Sequence, residues 1–201
     1  VFLVTHSLVD SKSVAETRCD DWRTLFEEYS VDVWRYVANI IGSDGEAVGD
    51  AVQETFMSAA RAFDQFDPAR GTARSWLIGI AHREVAKHWR RVARHRINSS
   101  GPPVEEASAS DDANAWLEQA ETVELVCRVL SELPADSAAI LTGKYCEEFT
   151  VAELVQQYGG TVEGVRSKLA RARRDFKTKY ETASGGDVPW GSLQQLGDHD
   201  Y

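Results

Sequence analysis

VAELVQQYGGTVEGVRSKLARARRDF, residues 151–176, decides the reading of the chain. Val151, Leu154, Val155 and Tyr158 place apolar side chains at helical spacing, and the Gly159-Gly160 pair then ends that short helix. Thr161 is an N-cap residue, and Val162, Val165, Leu169, Ala172 and Phe176 recur at steps of three and four, so a second helix follows with one buried face. A short helix, a tight glycine turn and a second helix with a free outer face form a helix-turn-helix. The outer face of the second helix carries Glu163, Arg166, Ser167, Ala170, Arg171 and Arg174. Such a surface tracks phosphates, and its first turns reach base edges in a major groove.

Moving outward, helical periodicity continues in both directions. Trp22, Leu25, Phe26, Tyr29, Val33, Tyr36, Val37 and Ile40 form one apolar stripe on a long helix. The break IGSDGE offers Ser43 or Asp44 as the cap of a second helix, with Val52, Phe56, Ala59 and Phe63 inward and Asp50, Gln53, Glu54 and Arg61 outward. After the loop DQFDPARGT, a third helix from about Ala73 to His95 begins apolar at Trp76, Leu77 and Ile80 and ends basic. Between residues 82 and 96, Arg83, Lys87, Arg90, Arg91, Arg94 and Arg96 oppose only Glu84. His82, His88 and His95 lack the spacing that puts two imidazoles on one metal, and they are read as solvated or phosphate-facing. Toward the second half, Val123, Val126, Cys127, Leu130 and Leu133 mark a helix that stops at Pro134, and Ala138 to Tyr145 makes another. Strand alternation is absent throughout, so the fold class is all-α.

Two domains are expected. Residues 21–96 form the first and 116–182 the second; residues 97–115, rich in Ser, Ala, Gly, Pro and acid, read as a flexible acidic linker. An N-terminal extension, 1–20, and a tail, 183–201, with Val188 to Trp190 as an anchor, complete the chain. The chain has 201 residues with 43% hydrophobic, enough for a buried core. The apolar start VFLVTHSLVD is short and without a basic leader, and no apolar run is long enough to span a bilayer, so a cytoplasmic protein without membrane insertion is expected. Cys19, Cys127 and Cys146 stand far apart and read as structural thiols, leaving no metal site and no cofactor motif. No nucleophile, base and orienting group cluster, which argues against an enzyme.

The formal net charge is -10, yet two segments are basic, and two basic faces tethered by an acidic linker suit a protein that grips nucleic acid at separated places. DAVQETFMSAARAFDQFD with GTARSWLIGIAHREVAKHWRR resembles region 2 of bacterial sigma-70 family factors. LPADSAAILTGKYCEEFTVAELVQQYGGTVEGVRSKLARARRDF resembles region 4, and the pair resembles an extracytoplasmic function (ECF) RNA polymerase sigma factor. The resemblance implies a non-catalytic subunit that directs core polymerase to specific promoters and helps to open the minus-10 element. It assigns Asp50, Gln53, Glu54 and Arg61 to the beta-prime clamp helices, with the beta flap as a further polymerase contact. Arg74, Arg83, Lys87, Arg90 and Arg91 fall to minus-10 DNA. Trp76 joins them as a stacking candidate, although the stripe it shares with Ile80 assigns it to the core. Arg166, Ser167, Lys168, Ala170 and Arg171 would read the minus-35 element, with Arg173 and Arg174 on its phosphates. An anti-sigma factor is the implied regulator. Many family members carry Phe where Ala73 stands and Asn where Arg83 stands. A free-standing helix-turn-helix repressor or activator fits the second domain but leaves the first unexplained, and a helical adaptor for protein partners leaves both basic faces unused.

Overall fold

A computed structural model describes residues 11–98 and 111–185, with side chains from 22 to 96 and from 119 to 185. Among these residues every regular element is helical: α1 (Ser11–Ile41), α2 (Gly45–Ala62), a 3-10 turn (Phe63–Gln65), α3 (Ala73–Asn98), α4 (Asp111–Glu132), α5 (Ala135–Tyr145), α6 (Val151–Tyr158) and α7 (Val162–Ala183). The boundaries follow local chemistry. Gly42, at φ +92°, closes α1 by donating its N–H to the Ala38 carbonyl at 2.9 Å, a backbone conformation that side-chain-bearing residues resist. Asp44 caps α2 by accepting from the Ala47 N–H at 3.0 Å. Thr150 and Glu153 cap α6 reciprocally, and Gly159 and Gly160, both at positive φ, make the turn into α7, which Thr161 caps through the Gly164 N–H at 3.1 Å.

Helices α1, α2 and α3 enclose one part of the core, with Val33, Tyr36, Val37 and Ile40 meeting Val48, Phe56, Ala59, Leu77, Ile80 and Val85. Trp89 ties α3 to the end of α1 by donating its indole N–H to the Ile40 carbonyl at 3.0 Å. Phe26, expected on the buried stripe, is 45% exposed and lies edge-on to Phe56. Helices α4 to α7 enclose the other part through Leu130, Leu133, Ile140, Leu154, Val165, Leu169, Phe176 and Tyr180. Val162 occupies the first position of α7, beyond the covering helices, and is 36% exposed.

Two differences concern organisation. Helix α1 starts at Ser11, within the expected extension, and α4 starts at Asp111, within the expected linker, because both stretches are made of residues that tolerate a helix although they lack a strong apolar stripe. The two helical groups also touch, α3 packing on α4, α5 and α6 and α1 on α4 and α5. The tail anchor at Val188 to Trp190, residues 1–10 and residues 99–110 lie outside the described residues.

Candidate nucleic-acid and polymerase interface

Burying Val165, Leu169, Ala172, Phe176 and Tyr180 turns the opposite face of α7 outward, where Arg166, Ser167, Lys168, Ala170, Arg171 and Arg174 are all exposed. Lys168 and Arg173, both predicted DNA contacts, have partners inside the second group. Lys168 lies 3.5 Å from Asp136, and Arg173, half-buried, donates to the Tyr145 hydroxyl at 2.6 Å with its guanidinium over that ring. Arg171 folds back on its own helix, donating to the Ser167 carbonyl at 3.4 Å, and no acidic side chain pairs with it or with Arg166 among the contacts described.

The first group presents a second charged surface. Asp50, Gln53, Glu54 and Arg61 are exposed on α2, and Arg83, Lys87, Arg90 and Arg91 are exposed on α3. Asp50, Gln53 and Glu54 form one wall of an open groove whose other wall holds Lys87, His88 and Arg91. Parts of two predicted sites thus share one cleft, which Arg61, Arg83 and Arg90 do not line. Lys87 is held by Glu84 at 2.8 and 2.9 Å, which fixes its ammonium at the cleft edge. The His88 imidazole is less basic than usual chiefly because it is half-buried, with Arg91 acting in the same direction and Asp44 against it.

Trp76 is half-buried against Phe66, ring centroids 5.1 Å apart, and packs on the core as its stripe implies. His82 is not a surface histidine. It is 6% exposed, its Nδ1 2.9 Å from the Tyr36 hydroxyl and its Nε2 2.8 Å from the Leu133 carbonyl, because the second helical group covers this face of α3. Burial lowers the basicity of the ring, against the raising effect of the Leu133 carbonyl.

Arg74 differs most from its expected setting on a phosphate face. Its side chain is 3% exposed, donating from Nε to Asp32 at 3.0 Å and from Nη2 to Glu147 at 3.2 Å. Its guanidinium lies 4.7 Å from the Tyr158 ring centroid and 5.7 Å from that of Phe149. Arg35 adds a second cation at 3.6 Å from the Glu147 carboxylate. Burial nevertheless raises the Glu147 carboxyl above the usual range, against the two arginines. Asp32, Glu147 and Tyr158 carry no sequence signal for this role, since the residues that meet at Arg74 come from α1, the turn after α5 and α6. Among the described residues no cluster of His, Cys, Asp and Glu could hold a metal ion, and no helix is long and apolar enough to cross a membrane. Cys127 is buried and its thiol is pushed up to about 11, first by burial, which suits an inert packing role.

Sigma-70 region 2 matches residues 25–95. The ECF RNA polymerase sigma factor SigL of Mycobacterium tuberculosis is 29% identical over 160 residues, covering 77% of this chain and 86% of that protein. The ECF sigma factor SigC of the same species is 33% identical over 143 residues, covering 71% and 74%. A solved structure of the sigma factor RpoE in complex with the anti-sigma factor NepR from Bartonella quintana aligns with 18% identity and a TM-score of 0.44, over 84% of this chain and 99% of that one.

Proposed function

The chain belongs to the ECF group of the sigma-70 family of RNA polymerase sigma factors, and from that membership we propose how its surfaces divide the work of promoter recognition. As a sigma factor it brings core RNA polymerase to promoter DNA. Asp50, Gln53, Glu54 and Arg61 on α2 dock on the beta-prime clamp helices, where the acidic wall of the groove offers complementary charge. Arg83, Lys87, Arg90 and Arg91 on α3 hold the phosphates of the minus-10 strand while a base is drawn from the stack. Helix α7 enters the minus-35 major groove with Arg166, Ser167, Lys168, Ala170 and Arg171 toward base edges and Arg173 and Arg174 toward phosphates. The protein works without catalysis of its own, in the cytoplasm, and an anti-sigma factor that grips both helical groups is its regulator.

The observation that carries this division is the pairing of a capped, glycine-turned helix-turn-helix with a second basic helix on a separate helical group. Reconstitution tests it directly. The chain mixed with core polymerase should co-elute with it and support initiation on a promoter template that core enzyme alone ignores. Tight, sequence-specific duplex binding by the chain alone, with no effect on polymerase, would instead make it a free-standing helix-turn-helix regulator.

A further inference from the structure

The outward face of α7 carries one acid among its bases. Glu163 is exposed on the first turn, and Arg166, Ser167 and Ala170 follow it along that face at steps of three, four and seven. From there to Arg174 every other charged side chain of the helix is basic. A carboxylate on a surface that meets phosphates weakens binding by like-charge repulsion, so it needs a specific contact to offset that loss. The local structure leaves it unused. Thr161 already caps α7 through the Gly164 N–H at 3.1 Å. In α6 the cap is completed by Glu153, three residues after Thr150, whereas the matching position in α7 is Gly164. Glu163 stands one residue earlier and takes part in no hydrogen bond or ion pair among the described residues, even with Arg166 one turn on.

Base edges differ in what they offer a carboxylate, which only accepts hydrogen bonds. In the major groove guanine presents acceptors, thymine an acceptor and a methyl group, and adenine an N7 acceptor beside its N6 donor. Cytosine alone presents a donor, its N4 amino group, with no acceptor beside it. The first turn of a recognition helix is also the part that reaches base edges. We propose that Glu163 is a specificity residue of α7: its carboxylate accepts from the N4 amino group of one cytosine in the minus-35 duplex and fixes the base at that position. The contact rests on α7 being the helix that enters the minus-35 groove. Arginines on the same face select guanine, so Glu163 adds a second letter to the sequence that the helix reads.

The test is a selection by core polymerase assembled with the full-length chain, from promoter fragments randomised across the minus-35 element, with the bound fraction sequenced. Wild type should favour cytosine at one position by about tenfold, the scale of a single good base contact. Glu163→Ala should lose that preference and keep the others. Glu163→Gln should move it toward adenine, whose N6 and N7 suit an amide. Both substitutions fall on an exposed side chain and leave the core of the second group untouched, which circular dichroism would check. An acid in the first turn also favours the helix dipole, and that role is indifferent to the promoter base. Absence of a cytosine preference in the wild type, or variants that bind all sequences uniformly more weakly or more tightly, would therefore overturn the proposal. Arg171→Ala in the same selection separates it from the reading beneath it. If that change relaxes one position while the Glu163 variants relax none, the role of Glu163 alone falls; if none of the three alters any preference, the minus-35 assignment of α7 falls with it.

Discussion

Arg74 and Arg171 are the same letter in two basic stretches, and their surroundings separate them. Arg171 has open space and its own helix beside it, so a guanine edge can take both of its forked donors. Arg171→Ala should therefore cost about 1–3 kcal/mol of discrimination at one minus-35 position. The check is a competition between promoter variants for polymerase carrying the substituted chain; equal weakening on every sequence would place Arg171 on a phosphate instead. Arg74 has its donors committed to Asp32 and Glu147, 42 and 73 positions away in the chain, and separations of that size leave no local pattern to read. The same reason hid His82, whose two contacts come from α1 and the end of α4. Its buried ring binds a proton less readily than the unfolded chain does, so stability is fully present above the ordinary value of 6.5 and is lost as pH falls through and below it. His88 acts with the same sign. Thermal unfolding should consequently shift downward between about pH 7.5 and 5.5, and His82→Gln should flatten part of that shift, leaving the share of His88. An undiminished slope in the variant would put the proton on another group.

Helices were the most legible feature because their signals are local. The caps at Asp44 and Thr161, the glycines at 159 and 160, and the three-and-four spacing on α7 all act within a few residues of the boundary they set. Legibility failed where a helix lacked a strong stripe, at the starts of α1 and α4, and where a small residue was chosen for a neighbour rather than for its own helix. Gly143 is such a residue. It sits inside α5, where glycine is unfavourable by itself, and a Cβ there would lie 2.9 Å from Leu154 Cδ2 and 3.3 Å from Phe149 Cδ2. Close approach of α6 to α5 explains the choice. Gly143→Ala should cost about 1–3 kcal/mol despite its better helix propensity, because α6 must move outward or Leu154 must leave its rotamer. Urea unfolding would measure it, and a stabilised variant would mean that propensity outweighs packing here.

Across the whole molecule, charge is sorted by place. The total of -10 comes with bases concentrated on the outer faces of α3 and α7, and acids on α2 and in the stretch from Glu105 to Glu124. Long-range repulsion from the acids opposes contact with stray DNA, while the two basic faces attract it once within a Debye length, which is about 8 Å at physiological salt. In the proposed complex both faces lie on one promoter, so their phosphate contacts add in a single salt dependence. Each phosphate neutralised contributes about 0.9 on duplex DNA, or about 0.7 on a single strand, to the slope of log affinity against log salt. Arg90→Ala with Arg91→Ala should therefore reduce the slope of promoter binding by the polymerase complex by about 1.4 to 1.8, with little change in sequence preference. Arg171→Ala should do the reverse, altering preference with a smaller change in slope. Titrating promoter binding between low and physiological salt with each substituted chain separates the two. Equal slopes for wild type and the Arg90, Arg91 pair would remove α3 from the DNA-binding surface, and the charge on that helix would then belong to the groove it shares with α2.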